Sequence, residues 1–303
     1  MKYLSYFRQG VWVALASLTL LTSGCVKEDL DECYKLTLKV LNFKEEDITG
    51  AGYMATASLY IFDENLNFLE TRKLEREFIQ SRQEIVLDNY TADRQLRIVA
   101  WSNVNVLGEK QDVADAKTIE DLKVMLKNQD GLAVTPDSLY YGSQLVKTKA
   151  GGVAQNTEII VRPKIGSVTI DTYGLQEELD RRGIKNVSGC QFTLNNTLSG
   201  FDYEGTQIGD SVYYKPEGVW DESGKEWKTA VMQNACPGTD MSVSISANGI
   251  SLGTGYVDSQ YNEPIQVKPG EETLLRLSWE DGTLSVRMTV RPWGTVEEDI
   301  PLH

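Results

Sequence analysis

Histidine is all but missing from this sequence: the single copy, His303, is the last of 303 residues. A histidine-based nucleophilic triad within the fold and a multi-histidine metal site are therefore excluded. Cysteine is scarce as well, and no two of Cys25, Cys33, Cys190 and Cys236 form a CxxC pair, which removes the usual basis for a thiolate zinc site. Basic residues are in deficit, 30 Lys and Arg against 44 Asp and Glu, for a net charge of −14. A nucleic-acid partner needs a basic surface to meet the phosphate backbone, so it is not expected here. The same deficit argues against an electrostatic grip on anionic lipid. No apolar run reaches the roughly 20 residues a membrane helix requires. Gly249, Gly253 and Gly255 punctuate strands rather than open a helix, so no phosphate-binding loop and no cofactor is implied.

What is present begins at the first residues. Lys2 and Arg8 precede an uncharged run from Val11 to Leu21, and small residues follow in Leu21-Thr22-Ser23-Gly24-Cys25. A charged start, an apolar run too short to span and a small-residue cleavage site predict a secretory signal over residues 1–24. The cysteine directly after Ser23-Gly24 makes the site resemble a bacterial lipobox, with Thr22 standing where Leu is more typical. The expectation is a lipid on Cys25; two or more acyl chains, at roughly 0.8 kcal/mol per buried methylene, hold a protein firmly. Val26 to Glu32 is short and acidic, a solvated tether over residues 25–33. Its Lys27-Glu28-Asp29 resembles the lysine-plus-acidic export signal by which some Gram-negative bacteria send lipoproteins to the cell surface. The predicted location is the outer membrane, lipid-anchored and facing outward.

Removing the signal leaves about 279 residues, enough for two domains. Hydrophobic residues make up 41% and charged residues 24%, as in a globular protein with a real core. In an oxidising compartment Cys190 and Cys236 could pair, a loop closure worth roughly 3–4 kcal/mol, and Cys33 is left as an odd thiol.

The dominant period along the chain is two. Leu36, Leu38 and Val40 alternate with Lys35, Thr37 and Lys39, a half-buried strand within Tyr34 to Phe43. Further strands are expected over Met54 to Phe62, Ile85 to Leu87, Leu96 to Trp101 and Glu158 to Val161, with a turn at Asp63 to Asn67 and a Gly151-Gly152 loop. One helix is expected after Thr118, with Ile119, Leu122, Met125 and Leu126 on one face and Asp121 as a capping acid. Past Pro163 the pattern restarts with strands at Ser167 to Thr172, Gln191 to Leu194, Ser211 to Tyr214, Lys228 to Met232 and Met241 to Ala247. A short helix from Leu175 to Arg182 would end at Gly183. Asn248-Gly249 signals a tight hairpin returning through Ile250 to Val257. Thr273 to Trp279 and Thr283 to Val290 form a last hairpin. Short strands in two successive sets predict two β-sandwich domains, residues 34–163 and 164–303.

Several groups carry a chemical reading and a plainer one. Asp63-x-Asn65-x-Asn67 begins like a calcium loop, but Phe68 stands where Gly is needed and Leu74 where Glu is needed, so a polar turn is expected. Glu45-Glu46-Asp47 and Glu177-Glu178 read as solvated faces rather than paired catalytic acids. Tyr203, Tyr213, Tyr214, Trp220 and Trp227 form a candidate aromatic surface for a glycan, against the alternative that they fill a core.

Several segments together resemble a known family. ATASLYIFDENLNFLE (Ala55 to Glu70), RIVAWSN (Arg97 to Asn103), VRPKIGSVTI (Val161 to Ile170) and VKPGEETLLRLSW (Val267 to Trp279) leading to VRPWG (Val290 to Gly294) are similar to the fimbrial anchor lipoproteins of the FimB/Mfa type, from type V fimbriae of Bacteroidales. The resemblance spans nearly the whole chain after the signal and rests on the order of loose strand motifs. It implies two transthyretin-like β-sandwich domains, no enzymatic activity, and a place at the base of a fimbria, holding the shaft to the outer membrane and limiting its length. Joining to the shaft subunit is expected by β-strand complementation, in which an extended segment fills a neighbour's groove. The strand Tyr34 to Phe43 resembles the family's first strand, which an anchor retains because cleavage would sever Cys25. Arg291 to His303 is a second candidate interface. The alternatives are a glycan-binding surface lipoprotein and a fimbrial accessory or tip adhesin.

Overall fold

The computed structural model describes residues 34–87, 89–90, 94–104, 110–148 and 156–293. The signal, Cys25, the tether with Lys27, Glu28 and Asp29, Cys33, the Gly151-Gly152 loop and residues 294–303 lie outside them. The chain is mainly β. In the first half the strands are β1 (Tyr34–Val40), β2 (Thr56–Phe62), β3 (Phe68–Glu75), β4 (Ile85–Leu87), β5 (Gln95–Ser102) and β6 (Gln111–Val113). They are followed by β7 (Val124–Leu126), β8 (Asn128–Gln129), β9 (Leu132–Ala133), β10 (Tyr140–Lys147) and β11 (Asn156–Pro163). The second half contributes β12 (Gly166–Tyr173), β13 (Cys190–Phe201), β14 (Gln207–Tyr214), β15 (Gly218–Trp220) and β16 (Trp227–Thr229). It ends with β17 (Gln233–Ala235), β18 (Gly238–Ala247), β19 (Ile250–Gly255), β20 (Glu271–Glu280) and β21 (Thr283–Pro292).

A seven-stranded sheet runs β3-β2-β5-β10-β11-β1-β4. It folds over on itself where β10 meets β11 in only two paired positions, Tyr140 with Pro163 and Tyr141 with Arg162. The fold brings Leu36, Leu38 and Val40 of β1 into one core with Leu59, Ile61, Leu96 and Ile98 of β2 and β5. Gly142 sits at the crossing, where an added Cβ would run into the Ile160 carbonyl.

In the second half, a six-stranded sheet (β15-β16-β12-β20-β21, with β17 also on β12) faces an eight-stranded sheet built on β19-β18-β13-β14-β9-β8. The second sheet draws on both sides of Pro163, because β6 to β9 join it through β13 and β14. Its core reaches into the first half: Tyr60, Phe62, Val99 and Trp101 share a cluster with Phe201, Val168 and Leu275. That explains why ASLYIF and RIVAW read as nearly continuous apolar runs. β2 and β5 are buried on both faces, one against each core.

Both halves repeat one device. β1 pairs parallel with β11, Lys35 to Val40 against Asn156 to Val161, and β12 pairs parallel with β20, Ser167 to Tyr173 against Glu272 to Ser278. Most of the remaining pairings are antiparallel. The hairpin signals hold: Asn248 and Gly249 have φ of 49° and 77°, and Asp281 and Gly282 have 50° and 81°. The helix α2 (Leu175–Arg181) forms as expected, with Gly183 at φ 68° just beyond it.

Two expected elements are corrected. Thr118 and Asp121 do form a capping box, but it closes only a 3-10 turn over Ile119–Asp121. Leu122 then turns extended, and Leu122 before β7 and Val124 and Leu126 within it are buried alternately; β7 pairs with β6 and β13. The same apolar residues satisfy both a helical and a two-residue period, and pairing with two strands decides for the latter. The expected strand Lys228 to Met232 stops at Thr229, and Val231 and Met232 bulge outward before β17. The sequence reading also missed α1 (Arg76–Gln80), a five-residue helix that buries Ile79.

Candidate functional site: the chain ends and the waist

The first candidate element is β1, with which the described residues begin. It is interior to its sheet, held by a six-position parallel ladder to β11 on one side and three antiparallel positions to β4 on the other. Leu36 is fully buried. Ion pairs Lys35–Glu84 at 2.7 Å and Lys39–Glu158 at 3.5 Å join its outer face to the neighbouring strands. At its end, the Val40 N–H donates to the Thr49 hydroxyl at 2.9 Å, and that hydroxyl donates to Asp47 at 2.7 Å. The Thr49 hydroxyl and N–H, with Arg82 beside them, draw the Asp47 carboxyl down to about 2. Glu45 is gripped by Arg162 through two bonds of 2.7 and 2.5 Å. Glu45-Glu46-Asp47 is thus a structural turn.

Past β1 the chain reaches the waist between the two halves. Phe43 and Pro163 close on Gly270, whose φ is 76° and whose Cβ, if present, would lie 2.7 Å from Pro163 and 3.1 Å from Phe43. Trp293, the last described residue, packs against both cores. Its indole N–H donates to the Ser167 hydroxyl at 2.7 Å, and its ring meets Tyr140 edge-on at 6.5 Å. These residues enclose a small cavity of about 50 Å³. The Tyr140 hydroxyl has no hydrogen-bond partner among the described residues, and burial pushes its pKa above the ordinary phenol range. Sequence reasoning did not find this waist, although it carried a sign. The tripeptide Val-Arg-Pro occurs at Val161-Arg162-Pro163 and Val290-Arg291-Pro292, ending the last strand of each half.

The waist also sets the direction of the chain. β1 and β11 both end there, so Tyr34 lies at the outer pole of the first half. β12 and β20 both start there, so Tyr173 and the β20–β21 turn lie at the outer pole of the second.

The aromatic surface expected from Tyr203, Tyr213, Tyr214, Trp220 and Trp227 is corrected: the five do not form one platform. Strand alternation turns Tyr214 inward with Val212, and its hydroxyl accepts the Cys236 N–H at 3.2 Å. Trp227 is buried with Thr229, and Trp220 stacks edge-on against it at 5.2 Å. Tyr203 lies instead against the first half, where its carbonyl accepts the Tyr141 hydroxyl at 2.9 Å. Tyr213 faces the other side of β14, under Lys215. Cys190 and Cys236 are free, buried thiols, so the disulfide considered above is not formed; burial raises them to about 11 and about 12. Asp63 accepts the N–H groups of Asn65 and Asn67 at 2.9 and 2.8 Å, the expected polar turn. Glu178 is buried and held by Arg181 and Arg182. Among the described residues no three His, Cys, Asp or Glu gather as a metal site, and no helix is long and apolar enough to cross a membrane.

Comparison with known proteins bears on this arrangement. Residues 30–299 match the family model of the fimbrillin-A associated anchor proteins Mfa1 and Mfa2. The major fimbrium anchoring subunit FimB of Porphyromonas gingivalis is 23% identical over 284 residues, covering 91% of each chain. FimB of strain W83 of the same organism is 22% identical, covering 91% of this chain and 92% of that one. The solved structure of the fimbrial anchor protein Mfa2 from Porphyromonas gingivalis shares the fold, with a TM-score of 0.62 at 16% identity, over 86% of this chain and 98% of that one. The relatives are structural components of fimbriae, and the chain is a member of the Mfa/FimB family of fimbrial anchor proteins.

Proposed function

We propose that this chain is an outer-membrane lipoprotein that fastens a fimbria at its base, through acyl chains on Cys25, and limits the length of the shaft it holds. Lys27, Glu28 and Asp29 direct it to the outer face of the cell, and its two domains divide near Pro163, with β6 to β9 of the earlier stretch lent to the second sheet. The observation that carries this reading is the placement of β1. A pull on the tether runs along a strand locked between β11 and β4, so six ladder positions share the load instead of opening one after another. A shaft pilin joins by strand complementation, with the segment from Arg291, which begins in the last two residues of β21, as the joining stretch.

The test is Cys25→Ala in living cells. Labelled palmitate is no longer incorporated, and fimbriae are found loose in the medium. Retained label, or cell-bound fimbriae of normal length, would sink the reading. In cells lacking the protein, electron microscopy should show detached or lengthened fimbriae, and gold-tagged antibody should mark the base of each fimbria rather than its tip.

A further inference from the structure

The outer pole of the second half carries an open cleft of about 500 Å³, within the roughly 300–1,000 Å³ of small-molecule sites. It lies between the start of α2, the β20–β21 turn and the β15–β16 hairpin. Its wall includes Tyr173, a residue 69% exposed, the largest exposure but one among the large hydrophobic residues of the described chain. Tyr173 ends β12 and has no packing duty that accounts for an aromatic there. Trp279 is beside it, half-buried, with its indole N–H committed to the Leu252 carbonyl at 3.1 Å.

The polar groups are fixed before any ligand arrives. Glu178, 3% exposed, takes the Arg181 Nε and Nη2 at 2.8 Å each, which holds the guanidinium plane at the cleft. The Arg181 Nη1 has no partner among the described residues. Gly282 supplies a φ of 81°, and its missing Cβ leaves the space that the Arg181 guanidinium occupies. Glu226 is used internally, accepting the N–H groups of Gly174 and Leu175 at 2.7 and 3.2 Å and the Thr172 hydroxyl at 2.9 Å. Glu177 and Asp281 remain exposed at the rim as acceptors.

We infer that this cleft binds a neutral hexose-containing oligosaccharide. An aromatic face takes the apolar C–H side of a sugar ring. Hydroxyls both donate and accept, so they match a rim with two carboxylate acceptors and one guanidinium donor. A rigid fork held by Glu178 loses little entropy on binding. An acidic sugar meets Glu177 and Asp281 in a chain of net charge −14 and is disfavoured. The position suits the role, since the cleft is at the pole away from β1. The inference goes beyond anchoring and does not depend on it.

The test is calorimetric titration of the full chain in detergent with maltohexaose, cellohexaose and mannohexaose, and with polygalacturonate as the acidic comparison. At least one neutral hexamer binds. Tyr173→Ala weakens it by at least about tenfold, Tyr173→Phe leaves it within about twofold, and Asp281→Asn weakens it by about fivefold or more. Cys25→Ala does not alter it. The proposal is overturned if none of the three hexamers binds, if Tyr173→Ala binds as tightly as the unaltered chain, or if polygalacturonate is preferred.

Discussion

At the scale of single residues, Asn103 shows how much one side chain can hold. Its φ is 57°, a left-handed conformation that asparagine tolerates better than most residues. Its side-chain oxygen accepts the N–H groups of Ala55 and Thr56 at 2.8 and 3.2 Å, and its amide donates to the carbonyls of Tyr53 and Ser138 at 3.3 and 2.7 Å. It ties the entry of β2 to the end of β5 and the approach to β10. Asn103→Ala strands these groups in a buried site and keeps the strained backbone, and should cost about 3 kcal/mol in urea unfolding. Asp47 gives the pH counterpart. Its carboxyl titrates near 3.8 when unfolded and about 2 when folded, so its stabilising effect is full above about pH 4 and fades as pH falls toward 2. Asp47→Asn should flatten the pH dependence of melting in that window and leave the slope at neutral pH unchanged.

At the scale of elements, alternation in the sequence located most strands, because β1, β18 and β20 each bury one face and expose the other. It failed where tertiary pairing overrode it. Residues 118–126 carry a true capping box and four apolar residues at helical spacing, yet no local signal reveals that β6 and β13 stand ready to pair with β7. The helix α1 was missed because five residues are too few to show a period. β1 is where the proposed function puts most weight on an element. Leu38→Ala should cost about 3 kcal/mol, since Leu38 is 3% exposed in the first core, and should lower the force at which a tethered molecule unfolds. Single-molecule pulling from the N-terminal end measures both.

At the scale of the whole molecule, the two halves were legible as two strand sets, but their union was not. The waist joins Phe43, Pro163, Gly270 and Trp293 from four distant stretches of chain, and only the repeated Val-Arg-Pro marks it in the sequence. The candidate aromatic surface failed for the same reason: which tyrosines and tryptophans face inward depends on sheets that close over them. Trp293→Ala removes a ring that touches both cores. Calorimetry should show one cooperative transition for the unaltered chain and two overlapping transitions for the variant.

The register of β1 has one more consequence, in time rather than in space. Its long ladder partner lies about 120 residues further along, Lys35 opposite Asn156, and the only earlier neighbour is the three-residue β4. In a chain that emerges from its N-terminus, β1 therefore cannot be completed until about half of the sequence has appeared. During that interval the residues ahead of β1 are followed by an unfinished strand instead of a closed sheet. The order of synthesis thus leaves an interval in which the lipid attachment proposed for Cys25 would precede closure, and it ends when β11 arrives and the sheet closes around its own first strand.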